Sequence, residues 1–248
     1  TELMTQTRKV MEEGLNYIDK LVRMRARPKI LVAKNYEEAF AAFERYEANI
    51  LSVISDVRFP RDGVVERHAG FELLQEIRDR RPYFPVVLHS AESDNAKRAV
   101  ELGGFFLDKN SPTWLTDLHG FFVDSLGFGD FVFRTAEGEE IDRARTLREM
   151  EKKVLTVPDE VLAFHMSRHH MSTWLMARGE HGLANRLRGM LLADFDDLQH
   201  AREFIASTIR ALRVEQRKGI ISDFKRGEVD PSAPFVRLWG GSLGGKGR

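Results

Sequence analysis

The sequence predicts an open, doubly wound α/β sheet followed by an all-helical region. Three observations carry this. Short apolar runs at residues 29–33 (KILVA), 50–54 (ILSVI), 85–89 (PVVLH) and 105–107 (FFL) alternate with stretches of helical period. Each run is bounded by turn residues, as strands covered on both faces are. Beyond residue 130 strand-like runs shrink to a single hairpin, and amphipathic helical periods fill the rest.

In chain order, residues 1–27 read as one helix: Leu3, Val10, Leu15, Ile18, Leu21 and Val22 form its stripe, and Pro28 stops it. The run at 29–33 is the first strand. Asn35 caps the next helix, with Glu37 and Glu38 in its first turn and Ala39, Phe40, Ala42 and Phe43 as its packing face. The run at 50–54 follows and ends in Ser55-Asp56, and Pro60 and Asp62-Gly63 then stop the strand. The charged loop over 58–69 holds Asp62, Glu66 and His68 and is long enough to cover a pocket at Asp56. Residues 71–77 form an amphipathic helix, and 85–89 a strand that runs into Ser90. The helix over 95–102 ends at Gly103-Gly104, a helix C-terminal signal. The strand at 105–107 ends in Asp108-Lys109, and Ser111-Pro112 opens the helix over 114–126.

Alternating strands and helices imply parallel strands joined by right-handed crossovers. In such sheets ligands bind outside the carboxyl ends of the strands. Asp56, Ser90 and Lys109 each close a different strand, so all three are expected at one edge.

After the Gly127–Asp130 turn, residues 131–134 and 140–141 read as a hairpin across Ala136-Glu137-Gly138. Helices are expected over 144–154, 159–177, 183–192 and 196–216, with Gly179 and Gly219 as stops. His165 and His169, four apart, fall on one face of the helix over 159–177, with His170 adjoining; two histidines without a third ligand make a polar face rather than a zinc site. Leu162, Met171, Trp174 and Leu175 sit at core spacing, and Arg178, Arg186 and Arg188 read as solvated or paired with Glu180. The tail over 235–248 is glycine-rich. Gly240 and Gly245-Lys246 have the spacing of a phosphate-binding loop, but Gly247 stands where the hydroxyl residue belongs.

Composition narrows the function. Lys+Arg and Asp+Glu are equal at 38 each, which argues against non-specific nucleic-acid binding. With 0 cysteines, disulfides and thiolate metal sites are excluded, in keeping with a reducing cytoplasm. No apolar run reaches membrane-spanning length. The chain begins at Thr1, inside an apparent helix, as a piece of a longer protein would.

The segments ISDVRFPRDG, AGFELLQEIRDRRPYFPVVLHSAES and AVELGGFFLDKNSP resemble the receiver domain of two-component response regulators. The resemblance implies a flavodoxin-like sheet over residues 1–127, with Asp56 accepting a phosphoryl group from a histidine kinase or other phosphodonor. It gives Ser90 the phosphoryl-oxygen contact and Lys109 the bond to aspartate or its phosphate. Chemistry agrees: a carboxylate is a nucleophile toward phosphorus, and an ammonium beside it keeps it ionised. Receiver domains open with a central strand whose acidic pair holds Mg²⁺ together with the phosphoacceptor. No such strand precedes the first helix here, so either it lies upstream of Thr1 or the fold differs; Asp56 alone makes an incomplete Mg²⁺ site.

The segments GFGDFVFR, PDEVLAFHMSRHHMSTWLMARGEHGLA and GGSLGGKGR resemble the connector and opening of phosphoenolpyruvate synthase and pyruvate phosphate dikinase-like proteins. That implies a connector over 128–234 and the start of an ATP-binding domain over 235–248, with Lys246 on nucleotide phosphate in the parent enzyme. The expectation is thus a phosphoacceptor region regulating the downstream ATP-binding domain of its own chain, with no nucleic-acid or membrane partner. The alternatives are a degenerate receiver serving as an interaction or homodimerisation scaffold, and a part of the enzyme itself with Lys246 at the nucleotide.

Overall fold

The computed structural model of the chain describes residues 29–221, with side chains to residue 216. The expected helix over 1–27 and the tail with Lys246 lie outside the described residues. The protein is mixed α/β, with a parallel three-stranded sheet followed by a hairpin and helices.

Helix α1 (Tyr36–Tyr46) starts where the sequence indicates: the Asn35 side chain accepts from the Glu38 N–H at 2.8 Å. Strand β1 (Val53–Asp56) follows. The loop after it is a second hairpin, β2 (Phe59–Arg61) and β3 (Val64–Glu66), turned by Asp62 and Gly63 at φ 51° and 77°. Two successive left-handed residues make the turn that matches strand twist, and Asp-Gly favours it. This hairpin leans on α1 and on helix α2 (Ala69–Arg80) rather than closing over the site. Arg61 pairs with Glu72 and stacks on the Tyr36 ring, and the Asp62 N–H bonds Glu37 at 3.0 Å.

Strand β4 (Val86–Ser90), helix α3 (Asn95–Glu101), strand β5 (Phe105–Asp108) and helix α4 (Trp114–Gly120) complete this half, and a π-helical turn (Phe121–Ser125) extends α4. The sheet order is β1-β4-β5, all parallel. Helices cover both faces of β4. Val86 and Leu88 pack with Phe43, Phe71, Leu74 and Ile77 of α1 and α2, whereas Val87 packs with Leu107, Leu118 and Phe122 on the other side.

Two expectations fail here. Residues 29–33 form no strand, and Leu31 and Val32 are 54% and 63% exposed. Strand β1 is only half-buried, although its apolar run resembles a fully covered strand. Both have one cause. Among the described residues β1 pairs with β4 alone, so its far edge has no strand to which residues 29–33 could connect.

In the second half, β6 (Phe131–Arg134) and β7 (Glu140–Ala144) form the expected hairpin, packed on α5 (Leu147–Lys153), α6 (Asp159–Ser167), α7 (His170–Ala177), α8 (His181–Arg188) and α9 (Leu198–Ile221). Leu162, Met171, Trp174 and Leu175 are core residues, as their spacing indicates. The expected helix over 159–177 is broken: His169 adopts a left-handed φ of 57°, which separates α6 from α7. His165 and His169 therefore do not share a helix face. Instead His165 Nδ1 lies 3.0 Å from His170 Nδ1, and His165 Nε2 accepts from the Arg134 N–H at 3.0 Å. Gly219 stops nothing, because α9 continues to Ile221.

Arg178 is not solvated either. It is 6% exposed, stacks on the Trp174 ring at 3.5 Å, and donates to the carbonyls of Gly127 (2.6 Å) and Gly129 (2.8 Å). Gly127 is at φ 74°, and a Cβ there would lie 2.5 Å from Trp174 Cα. This glycine turn, a buried arginine and a tryptophan join the halves. Arg188 adds a bond to the Ala48 carbonyl at 3.1 Å, and Glu180 is bonded by Gln216 rather than by arginine.

Burial of His165 holds its pKa down to about 4. An unfolded histidine titrates near ~6.5. Its contribution to stability is therefore complete above about pH 6.5 and is lost as pH falls toward about 4. Urea unfolding across this range should show the loss, and His165→Gln, which keeps an acceptor but does not titrate, should reduce it, leaving the share of His170, whose pKa burial holds down to about 3.

Candidate functional site

The carboxyl ends of β1, β4 and β5 form the candidate site. Asp56 closes β1, and its side chain is 49% exposed. Lys109, one residue past β5, reaches it: Nζ lies 2.6 Å from Asp56 Oδ1. Lys109 is held there by its own backbone, which donates to the Ser90 carbonyl at 2.8 Å. The structure thus brings together two of the three residues expected from sequence.

Ser90 closes β4 as expected but makes no hydrogen bond to the carboxyl. The register pairs Asp56 with His89 and Ser90 with Asp108. Side chains alternate along a strand, so His89 shares the face of Val87, and Ser90 that of Leu88. The hydroxyl of Ser90 accepts from the Glu92 N–H (3.1 Å) and the Asn95 amide (3.0 Å), on the α3 side.

His89 takes the place beside Asp56. Its Nδ1 lies 3.6 Å from Asp56 Oδ1, its side chain is 13% exposed, and its ring leans on Trp114 of α4 at 6.0 Å. Composition gave no reason to single it out. Its signal was positional, one residue before the strand-end hydroxyl, and became meaningful only with the register. His89, together with Lys109, holds the Asp56 carboxyl below the usual carboxylate range, against the opposing pull of partial burial. Asp56 is therefore ionised at neutral pH, as a nucleophile must be.

A second feature the sequence reading missed is Gly70. It begins α2 directly against the end of β1: its N–H donates to the Val57 carbonyl at 2.9 Å, and a Cβ on it would lie 2.3 Å from the Asp56 carbonyl oxygen. Only glycine admits this approach, so Gly70 fixes the backbone that carries the carboxylate.

The donor set among the described residues is incomplete for Mg²⁺. Among the described residues no group of three or more His, Cys, Asp and Glu could hold a metal, and the one carboxylate at the site is engaged by an ammonium. Nor is any helix among them long and apolar enough to cross a membrane. No family model, curated protein or solved structure matches the chain.

Alanine normally stabilises a helix over glycine by about 1 kcal/mol. Gly70→Ala should reverse that sign and cost about 1–3 kcal/mol through overpacking against Asp56. Equilibrium unfolding measures it, and Gly182→Ala, where a Cβ meets nothing within 4 Å, is the control.

Proposed function

We propose that this chain is a receiver-like phosphoacceptor region with a flavodoxin-like sheet, joined to a helical connector. In this reading it regulates a phosphoenolpyruvate synthase-like enzyme. The reading rests above all on the Asp56–Lys109 pair at 2.6 Å, formed by residues far apart in the chain at the edge where parallel sheets place ligands.

In the proposed step an Asp56 carboxylate oxygen attacks the phosphorus of a phosphodonor in line, and the donor's leaving group departs with the electron pair. Lys109 offsets charge on the carboxylate and the incoming group. Phosphorylation adds about 1.5 to 2 negative charges next to Lys109. The hydroxyl of Ser90 is engaged by the turn before α3, and in this reading a contact to the phosphoryl group would require it to exchange those partners. The output would pass to the connector through the junction of Gly127, Arg178 and Trp174, and from there to the ATP-binding region containing Lys246.

A second reading is favoured by the single carboxylate at the site: a degenerate receiver used as a scaffold, including for homodimers. One experiment separates the two. Incubated with acetyl phosphate, with and without Mg²⁺, the protein should gain one phosphoryl mass that Asp56→Asn abolishes. Equal labelling of both proteins, or of neither, favours the scaffold. Regulation requires, in addition, that phosphorylation change the activity of the downstream enzyme at least about threefold, about 0.7 kcal/mol of coupling.

A further inference from the structure

Lys109 and His89 approach the same oxygen of Asp56. Lys109 Nζ lies 2.6 Å from Oδ1 and His89 Nδ1 lies 3.6 Å from it. The two arrive from different strands, Lys109 from the end of β5 and His89 from β4 on the inner side of the sheet. At 3.6 Å the His89 ring stands just beyond hydrogen-bond length from the carboxylate, so a movement of a few tenths of an ångström would let an Nδ1–H donate to it beside Lys109.

We propose that His89 is a positioning residue for the aspartyl phosphate: with Lys109 it flanks the carboxyl of Asp56 and shortens the life of a phosphoryl group carried there. This rests on the phosphoacceptor reading above. The step is hydrolysis. A water oxygen bonds to phosphorus, the bond from phosphorus to the Asp56 carboxyl oxygen breaks, and its electron pair returns to the Asp56 carboxylate. Water's protons leave with orthophosphate or pass to solvent. As the carboxylate departs, negative charge grows on both of its oxygens. A donor already aimed at Oδ1 stabilises that charge more than it stabilises the acyl phosphate, so it speeds the loss. His89 suits the role because it is fixed. Its backbone lies in the ladder beside Asp56, and its ring leans on Trp114.

Trp114 and the apolar residues of that face hold the ring; a purely packing histidine would therefore be replaceable by leucine without chemical effect. The test uses the full chain and three forms of it: the native protein, His89→Leu and His89→Asn. Asparagine places an amide N–H near the position of Nδ1. Each form is loaded from acetyl phosphate, the donor is removed, and decay of the phosphoryl mass is followed at neutral pH. His89→Leu should hold the group about threefold longer or more, the effect of losing one donor to a charged acceptor. His89→Asn should decay within about twofold of the native protein if the donor is what matters. Equal decay in His89→Leu and the native protein overturns the proposal, as does an asparagine form that behaves like the leucine form. A thermal melt on each form identifies misfolding; His89→Phe replaces the leucine form and His89→Gln the asparagine form if either fails it. If the native protein takes no label that depends on Asp56, the phosphoacceptor reading itself fails and this inference falls with it.

Discussion

Strand β4 is the constraint on which the site depends. It is the one strand of the described sheet paired on both sides, and Val86, Val87 and Leu88 are fully buried. Its ladders set the height of both neighbours: Asp56 ends level with His89, and Asp108 ends level with Ser90. Lys109 follows one residue later and is tied by its N–H to the Ser90 carbonyl. A one-residue slip of β1 along β4 would exchange the faces of its side chains and take the Asp56 carboxylate away from Lys109. Apolar packing on both faces of β4 prevents that slip, so the hydrophobic core determines where the charged pair forms.

The far side of β1 has the opposite character. Its ladder is one-sided among the described residues, its apolar run is half-buried, and Leu31 and Val32 are exposed nearby. Among the described residues the charged and polar partners of the Asp56 carboxylate at this edge are Lys109 and His89.

The helical half is organised by arginines buried among carbonyl groups. Arg202 donates to the carbonyls of Val154 and Val157 and to Asp159, while Arg210 and Arg213 hold the buried Glu151, fastening α9 across α5 and α6. Arg178 plays the same part at the junction, where it closes the carbonyls of the Gly127–Gly129 turn against Trp174. Guanidinium suits these sites because it presents several donors in a fixed plane and can stack on a ring at the same time. The junction is made of few residues, bonded to one another through backbone carbonyls.

The sequence alone determined the mixed α/β class with helices following the sheet, the Asn35 cap, the core positions of Leu162, Met171, Trp174 and Leu175, and the presence of Asp56 and Lys109 at strand ends. All of these follow from local periodicity and turn chemistry, which act over a few residues. Along the sequence Asp62-Gly63 reads only as a strand stop within a loop, although the dipeptide favours the hairpin that forms there. The tertiary structure decided the rest. Whether residues 29–33 form a strand depends on a neighbour to pair with. The break at His169 and the burial of Arg178 and His165 depend on what packs against them. The replacement of Ser90 by His89 beside the carboxylate depends on register. Strand register and burial arise from contacts between residues far apart in the chain, and a pattern read along one strand carries no information about the height at which its neighbour lies.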